Sequence, residues 1–332
     1  MGEQVDGRGV AGDDCAGVRW PDGWRAAIVG CGSAGSRVAR CLLALGVPRE
    51  AMTGYDVAAP VVDGQWPAWI ARETVRSGER GTGRRGDVWF ICTPASWRIH
   101  EYRRALDEGA AAIFAEKPFC DADYIKPYEE VAAETQARGI VTQVGYCWRW
   151  HPAVRSVRRA MAENVGPMAG ALGTAMCYVD MSSWPGRDYG NPIAELSHEL
   201  DIMRHLLGPG RLVSAERLGH GGYVISLVHD SGARSVVSLR GDFDGYFRGF
   251  SVLRGRAYSR WDTTDFGDAY GRSVGLPRGL SMPVGWEPND MYRDELASFL
   301  ASAIAERQQV CPFSEGLEVA RWCAEAKAMI EA

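Results

Sequence analysis

Downstream of Trp24 the chain alternates between two rhythms of apolar and polar positions. Ala26 to Val29 is an unbroken apolar run of strand length, after which Val38, Ala39, Leu42 and Leu43 recur at helical spacing. The pairing then repeats. "AMTGYDV" reads as a second strand, "GDVWFICTP" as a third that Thr93-Pro94 stops, "AAIFAEKPF" as a fourth and "IVTQVGY" as a fifth. Helices are predicted over "WRIHEYRRALDEGA" and "YEEVAAETQARG". Strands alternating with helices predict a parallel, doubly wound sheet with right-handed crossovers.

After "WRWHP" the rhythm changes. The pattern predicts a helix over 155–163, a strand over "GALGTAMCYVDM" and a helix over 195–207. Three β-rich segments follow, "YVISLVHD", "ARSVVSLRGDF" and "RGFSVLRGRAYSRWD", which predict a large, mostly antiparallel sheet open on one face. Two helices close the chain, "NDMYRDELASFLASAIAER", with Asp290 as its cap, and "SEGLEVARWCAEAKAMIEA". The expected division is a flexible tail over 1–22, an α/β domain over 23–148 and an α+β domain over 149–332.

Composition narrows the function classes. With 332 residues the chain can bury two sizeable cores, and a net charge of −5 argues against a nucleic-acid binder. The one dense basic run, "GERGTGRRGD", reads as a solvated loop. No apolar run reaches the roughly 18 residues that span a membrane. The tail is rich in Gly and Asp and has no apolar centre, so it reads as neither signal peptide nor anchor. Nine cysteines without a CxxC pair read as buried thiols in a reducing, cytoplasmic compartment, not as disulfides or a zinc site.

Candidate chemistry begins at "GCGSAG", where Gly30, Gly32 and Gly35 have the GxGxxG spacing between a strand and a helix. Gly30 serves the tight turn, Gly32 the approach of a pyrophosphate and Gly35 close helix–strand packing. The amides of Cys31, Ser33 and Ala34 lie in the same turn, where the start of a helix favours an anion. Asp56 ends the next strand about 20 residues on, as ribose recognition requires. The first domain is thus read as a Rossmann domain. A carboxylate accepts from ribose hydroxyls and repels a 2′-phosphate, and "YDVAA" holds no arginine to neutralise one, so NAD is favoured over NADP.

Thr93, Pro94, Glu116 and Lys117 fall at carboxyl ends of strands, where open α/β sheets bind ligands. Lys117 would bring an ammonium to a substrate oxygen there. In "AELSHELDIMRHLLG", His198 stands in a first helical turn among Glu195, Glu199 and Asp201 without metal-ligand spacing, and His205 reads as structural. Tyr146, Arg149, Trp184, Arg187, Asp188 and Tyr189 combine aromatic platforms with polar groups that suit a sugar, although each can equally be read as packing or surface.

The order GCGSAG, ICTP, AEKPF, GYCWRWHP, ELSHELDIMRHLLG resembles the glucose–fructose oxidoreductase/inositol dehydrogenase (Gfo/Idh/MocA) family from about Ala26 onward. "WRWHPAV", "WPGRDY" and "LSHELD" look like a branch linked to sugar biosynthesis. The resemblance implies that Lys117 hydrogen-bonds a reacting hydroxyl and that His198 removes its proton. It also implies a homo-oligomer, dimer or tetramer, packed through the open sheet face. Two departures stand out. Ala194 replaces an aspartate common four residues before the histidine, leaving Glu195 as the candidate assisting acid, and Arg98 occupies a position where relatives often carry histidine.

The chemistry agrees with this reading, since a near-neutral histidine suits the proton of an alcohol and a lysine suits developing alkoxide charge. The expected function is NAD-dependent oxidation of a secondary hydroxyl of a nucleotide-sugar or an aminosugar precursor. The alternatives are ketosugar reduction in the reverse direction, an NAD-cycling glycosidase, and a non-catalytic dinucleotide-binding sensor.

Overall fold

The computed structural model describes residues 19–57, 67, 70–74, 86–121, 123–163, 172–182, 196–218, 222–240, 242–254, 257–264, 290–307 and 311–332. Most of the tail assigned to 1–22 lies outside these residues. Trp20 does not, and its indole meets Trp24 edge-on at 5.9 Å and donates to the Trp24 carbonyl.

The first sheet comprises β1 (Ala26–Val29), β2 (Met52–Asp56), β3 (Ala71–Thr74), β4 (Val88–Ile91), β5 (Ala112–Glu116) and β6 (Val141–Gly145). All are parallel, in the order β3-β2-β1-β4-β5-β6, so the strand order reverses between β1 and β4. The edge strand β3 is not foreseen by the apolar pattern, because ARET carries too little apolar character.

Alternation along each strand sorts the residues into two cores. Ile28, Phe90 and Phe114 face α1 (Ser33–Ala44), while Val29, Trp89 and Ile113 face α2 (Ala95–Asp107) and α3 (Lys126–Ala137). After a 3-10 turn over Cys147–Trp150 comes α4 (Pro152–Glu163).

The second sheet holds β7 (Leu172–Ser182), β8 (Gly210–Arg217), β9 (Tyr223–His229), β10 (Arg234–Arg240), β11 (Asp242–Arg254) and β12 (Ala257–Thr264). Its order is β12-β11-β7-β10-β9-β8, and only the β7–β10 pair is parallel. The mostly antiparallel expectation holds. β9 alternates buried and half-buried residues, as a sheet with one covered face should.

Between the sheets lies α5 (Ser197–Leu207), buried from Ser197 through Met203 and stopped by Gly208 at φ +86°. The closing helices are α6 (Met291–Ile304), capped by the Asp290 carboxylate on the Arg293 amide, and α7 (Phe313–Glu331). Both belong to the range assigned to the second domain, yet both return to the first sheet. Phe299 on α6 meets Phe90 at 5.6 Å and Phe114 at 5.7 Å, while Phe313 on α7 packs on Phe119 and Tyr102. The apolar core beneath α7 runs on into Leu212, Ile225 and Leu227, so the halves share one core. No helix among the described residues is long and apolar enough to cross a membrane, and the seven cysteines whose side chains are described are free thiols.

Candidate functional site

The candidate site lies along the carboxyl edge of the first sheet, beginning where the strand order reverses. The three glycines after β1 differ in what surrounds them. Gly30 takes φ +89°, and a Cβ there would press on the Cys92 carbonyl at 2.9 Å. A Cβ on Gly35 would collide with the Gly30 carbonyl oxygen. At Gly32 nothing lies within 4 Å, so space is open in front of α1. This helix has no side-chain cap and no acid in its first turn, which leaves its leading amides and dipole for an anion.

Asp56, at the end of β2, accepts the Cys31 amide at 2.7 Å. The carboxylate thus steadies the glycine turn, and the Cys31 amide is engaged by protein. Ser33 and Ala34 open α1 at the surface. An open Gly32, an uncapped helix start and a carboxylate at the end of β2 fit a dinucleotide, with pyrophosphate at the helix and ribose at Asp56.

Thr93 and Pro94 follow β4, and Pro94 leads into α2. Glu116 ends β5 in register with Gly145 of β6, so the next residues, Lys117 and Tyr146, leave neighbouring strands side by side. The chain has only three lysines, Lys117, Lys126 and Lys327, against 34 arginines. Where it places a cation elsewhere it nearly always uses a guanidinium; at 117 it places a compact ammonium. Burial raises the Glu116 carboxyl above its usual range, opposed by Lys117 and Arg98.

His198 lies in the first turn of α5, and its ring meets Tyr146 edge to face with centroids 5.8 Å apart. The T-shaped contact ties the first turn of α5 to the end of β6, beside Lys117. Three buried hydroxyls, Thr93 Oγ1, Tyr146 Oη and Ser197 Oγ, find no hydrogen-bond partner among the described residues. They follow β4, follow β6 and open α5, so each belongs to an element that borders the site. Buried polar groups without protein partners suit a polyhydroxylated ligand.

One candidate is corrected. Of the two readings open for Arg149, substrate contact and packing, the structure supports packing: the residue is 4% exposed and its guanidinium is engaged by carboxylates. Its Nε donates to Asp201 at 2.8 Å, Nη2 pairs with the other Asp201 oxygen, and Nη1 reaches Glu315 at 2.6 Å. Burial works against the cation, and Asp201 outweighs it, holding Arg149 charged. Asp201 lies on α5 and Glu315 on α7, so Arg149 ties both helices to the end of β6. His205 contacts Arg158. Trp184, Arg187, Asp188, Tyr189 and Glu195 lie outside the described residues.

Arg98 has a place that its sequence context did not disclose. It is 2% exposed, and its guanidinium reaches the carbonyls of Thr93, Glu116 and Pro118. The available signal was its offset from Thr93-Pro94, which sets it one helical turn beyond that loop.

Several solved structures share this architecture. UDP-N-acetylglucosamine 3-dehydrogenase GnnA from Acidithiobacillus ferrooxidans superposes with a TM-score of 0.71 at 18% identity, covering 93% of this chain and 98% of its own. A myo-inositol dehydrogenase from Corynebacterium glutamicum gives 0.72 at 15% identity, with 93% and 96% covered. GenD2 from gentamicin A biosynthesis, solved in complex with NAD, gives 0.71 at 16% identity, with 93% and 94% covered. No protein-family model and no curated protein sequence matches the chain. At these identities the likeness establishes a common two-domain fold, the one implied by the resemblance in sequence.

Proposed function

We propose that this chain is an NAD-dependent dehydrogenase of the Gfo/Idh/MocA type that oxidises a secondary hydroxyl of a sugar. The observation that carries the proposal is the register of β5 and β6. Lys117 and Tyr146 stand side by side, with His198 against Tyr146, along the same sheet edge as the glycine turn and Asp56. The solved neighbours named for sugar and inositol oxidation support the reaction class, and the NAD complex of one supports the cofactor.

NAD, when bound, supplies the acceptor for the carbinol hydride. The chain's own groups do the rest. The α1 amides and Asp56 hold pyrophosphate and ribose. Lys117 Nζ donates a hydrogen bond to the reacting hydroxyl oxygen and stabilises it as negative charge develops. His198 removes the hydroxyl proton. Its Nδ1 is buried, so Nε2 is the nitrogen assigned to the substrate. Thr93, Tyr146 and Ser197 offer hydroxyls to the remaining oxygens of the ring.

The substrate class is a nucleotide-sugar or an aminosugar precursor, which the neighbours from nucleotide-sugar and gentamicin metabolism support. A cytoplasmic homo-oligomer packed through the open face of the second sheet completes the reading. The test is absorbance at 340 nm with NAD or NADP against nucleotide-sugars, aminosugars and aminoglycoside precursors. A rise with NAD and one sugar class is expected, and it should vanish in His198→Ala and Lys117→Ala while calorimetric NAD binding persists. NAD binding without oxidation of any member would defeat the dehydrogenase reading.

A further inference from the structure

We infer that Arg98 is a positioning residue for Lys117, an inference that rests on the reading of Lys117 as the group that holds substrate. Arg98 sits in the first turn of α2, and its guanidinium donates to three backbone carbonyl oxygens. Nε and Nη2 reach Thr93 O at 3.1 and 2.5 Å, while Nη1 reaches both Glu116 O and Pro118 O. The last two carbonyls flank Lys117, so the backbone is held on either side of the lysine. The Thr93 contact ties the same guanidinium to the loop after β4. One turn further along α2, the Tyr102 hydroxyl donates to Phe119 O, extending the hold to the residue after the proline.

Packing alone does not account for an arginine here. At a site this buried a leucine or methionine would fill the volume without the desolvation cost of a cation. The planar, multidentate guanidinium is the side chain that can serve three carbonyls on two loops at once, and a single lysine ammonium matches that geometry poorly. Arg98 therefore couples the loop after β4, which borders the cofactor site, to the loop that carries Lys117. Misplacement of a reacting group by about 1 Å can cost about 100-fold in rate, so the hold bears on turnover.

The scarcity of lysines makes Lys117 directly observable. Reductive 13C-methylation of the full-length protein gives three side-chain lysine signals, assigned by Lys→Arg variants at 117, 126 and 327. Lys327 is an internal reference, paired with Asp123 on the surface at 2.6 Å. Arg98→Met should move and sharpen the Lys117 signal while leaving the Lys126 and Lys327 signals in place. Arg98→Gln, which keeps part of the hydrogen bonding, should restore the signal in part and also serves if the methionine variant does not fold. In the oxidation assay both variants should lose about 10- to 100-fold in kcat, with KM for NAD changed less than about threefold. An unmoved Lys117 signal in a folded variant, or equal movement of all three signals, would overturn the assignment. If the native protein oxidises no sugar the dehydrogenase reading fails, but the methyl signals still decide what Arg98 holds.

Discussion

The ring of His198 stands edge-on to the ring of Tyr146, with centroids 5.8 Å apart and planes at 73°. Tyr146 follows the last strand of the first sheet and His198 lies in the first turn of α5, so this contact fixes where the imidazole meets the first sheet. Burial, with Asp201 adding to it, pushes the Tyr146 phenol well up, so the hydroxyl stays protonated. Tyr146→Phe keeps the ring contact and removes a hydroxyl that has no partner among the described residues. Its melting temperature should match or exceed the parent's, while turnover falls about tenfold if that hydroxyl meets substrate. Tyr146→Ala should lose about 3–5 kcal/mol of stability as well, measured by denaturant unfolding.

The glycine turn separates binding from folding. Gly32→Ala adds a methyl where nothing lies within 4 Å, so the fold should persist while calorimetry records weaker NAD binding. Gly35→Ala drives its methyl into the Gly30 carbonyl and should destabilise the protein even without cofactor. Equal stability of the two variants would contradict these roles.

Asp56→Asn should weaken NAD binding and reduce discrimination against NADP. The amide still accepts from Cys31, so the melting temperature of the cofactor-free protein should change little. A native preference for NADP in the binding titration would run against this assignment.

The Arg149–Asp201 pair is buried on both sides, at 3% and 0% side-chain exposure. Removing either partner strands the other, and Arg149→Met or Asp201→Asn should each lose about 3–5 kcal/mol in denaturant unfolding. The double variant should be more stable than the sum of the single losses predicts.

His151 stacks on Trp148 at 5.4 Å, and burial lowers its pKa from 6.5 to about 4. The folded state therefore binds fewer protons than the unfolded state between these values. The contribution is fully present above pH 6.5 and is lost as pH falls toward 4, up to about 3 kcal/mol. His205 also titrates low, chiefly through burial, and shifts stability in the same direction. Unfolding measured from pH 7 to pH 4 should show a shallower decline in His151→Gln than in the parent.

Much of this architecture was legible in the chain because it depends on local rules. Apolar runs located β1, β2, β4, β5 and β6, and Asp290 marked the start of α6. The requirement for glycine at 30 and 35 followed from spacing, since each is a backbone constraint. What escaped depends on residues distant in sequence. β3 is an edge strand whose polar residues leave no apolar signature, and β8 alternates too weakly to stand out from a loop. Arg149 looked like a ligand contact because Asp201 and Glu315 lie 52 and 166 residues away. Arg98 looked like a simple departure because its partners are carbonyls, which carry no side-chain signal.

The return of α6 to the first sheet also bears on how the protein is made. Phe90 and Phe114 emerge from the ribosome long before Phe299, which packs on both. At translation speeds of about 5–20 residues per second, the wait from β6 to α6 is on the order of ten to thirty seconds. Throughout that interval the nascent first sheet lacks the cover that Phe299 supplies. A chaperone that shields this face during synthesis should raise the soluble yield of the whole chain, and a fragment ending after β6 should aggregate.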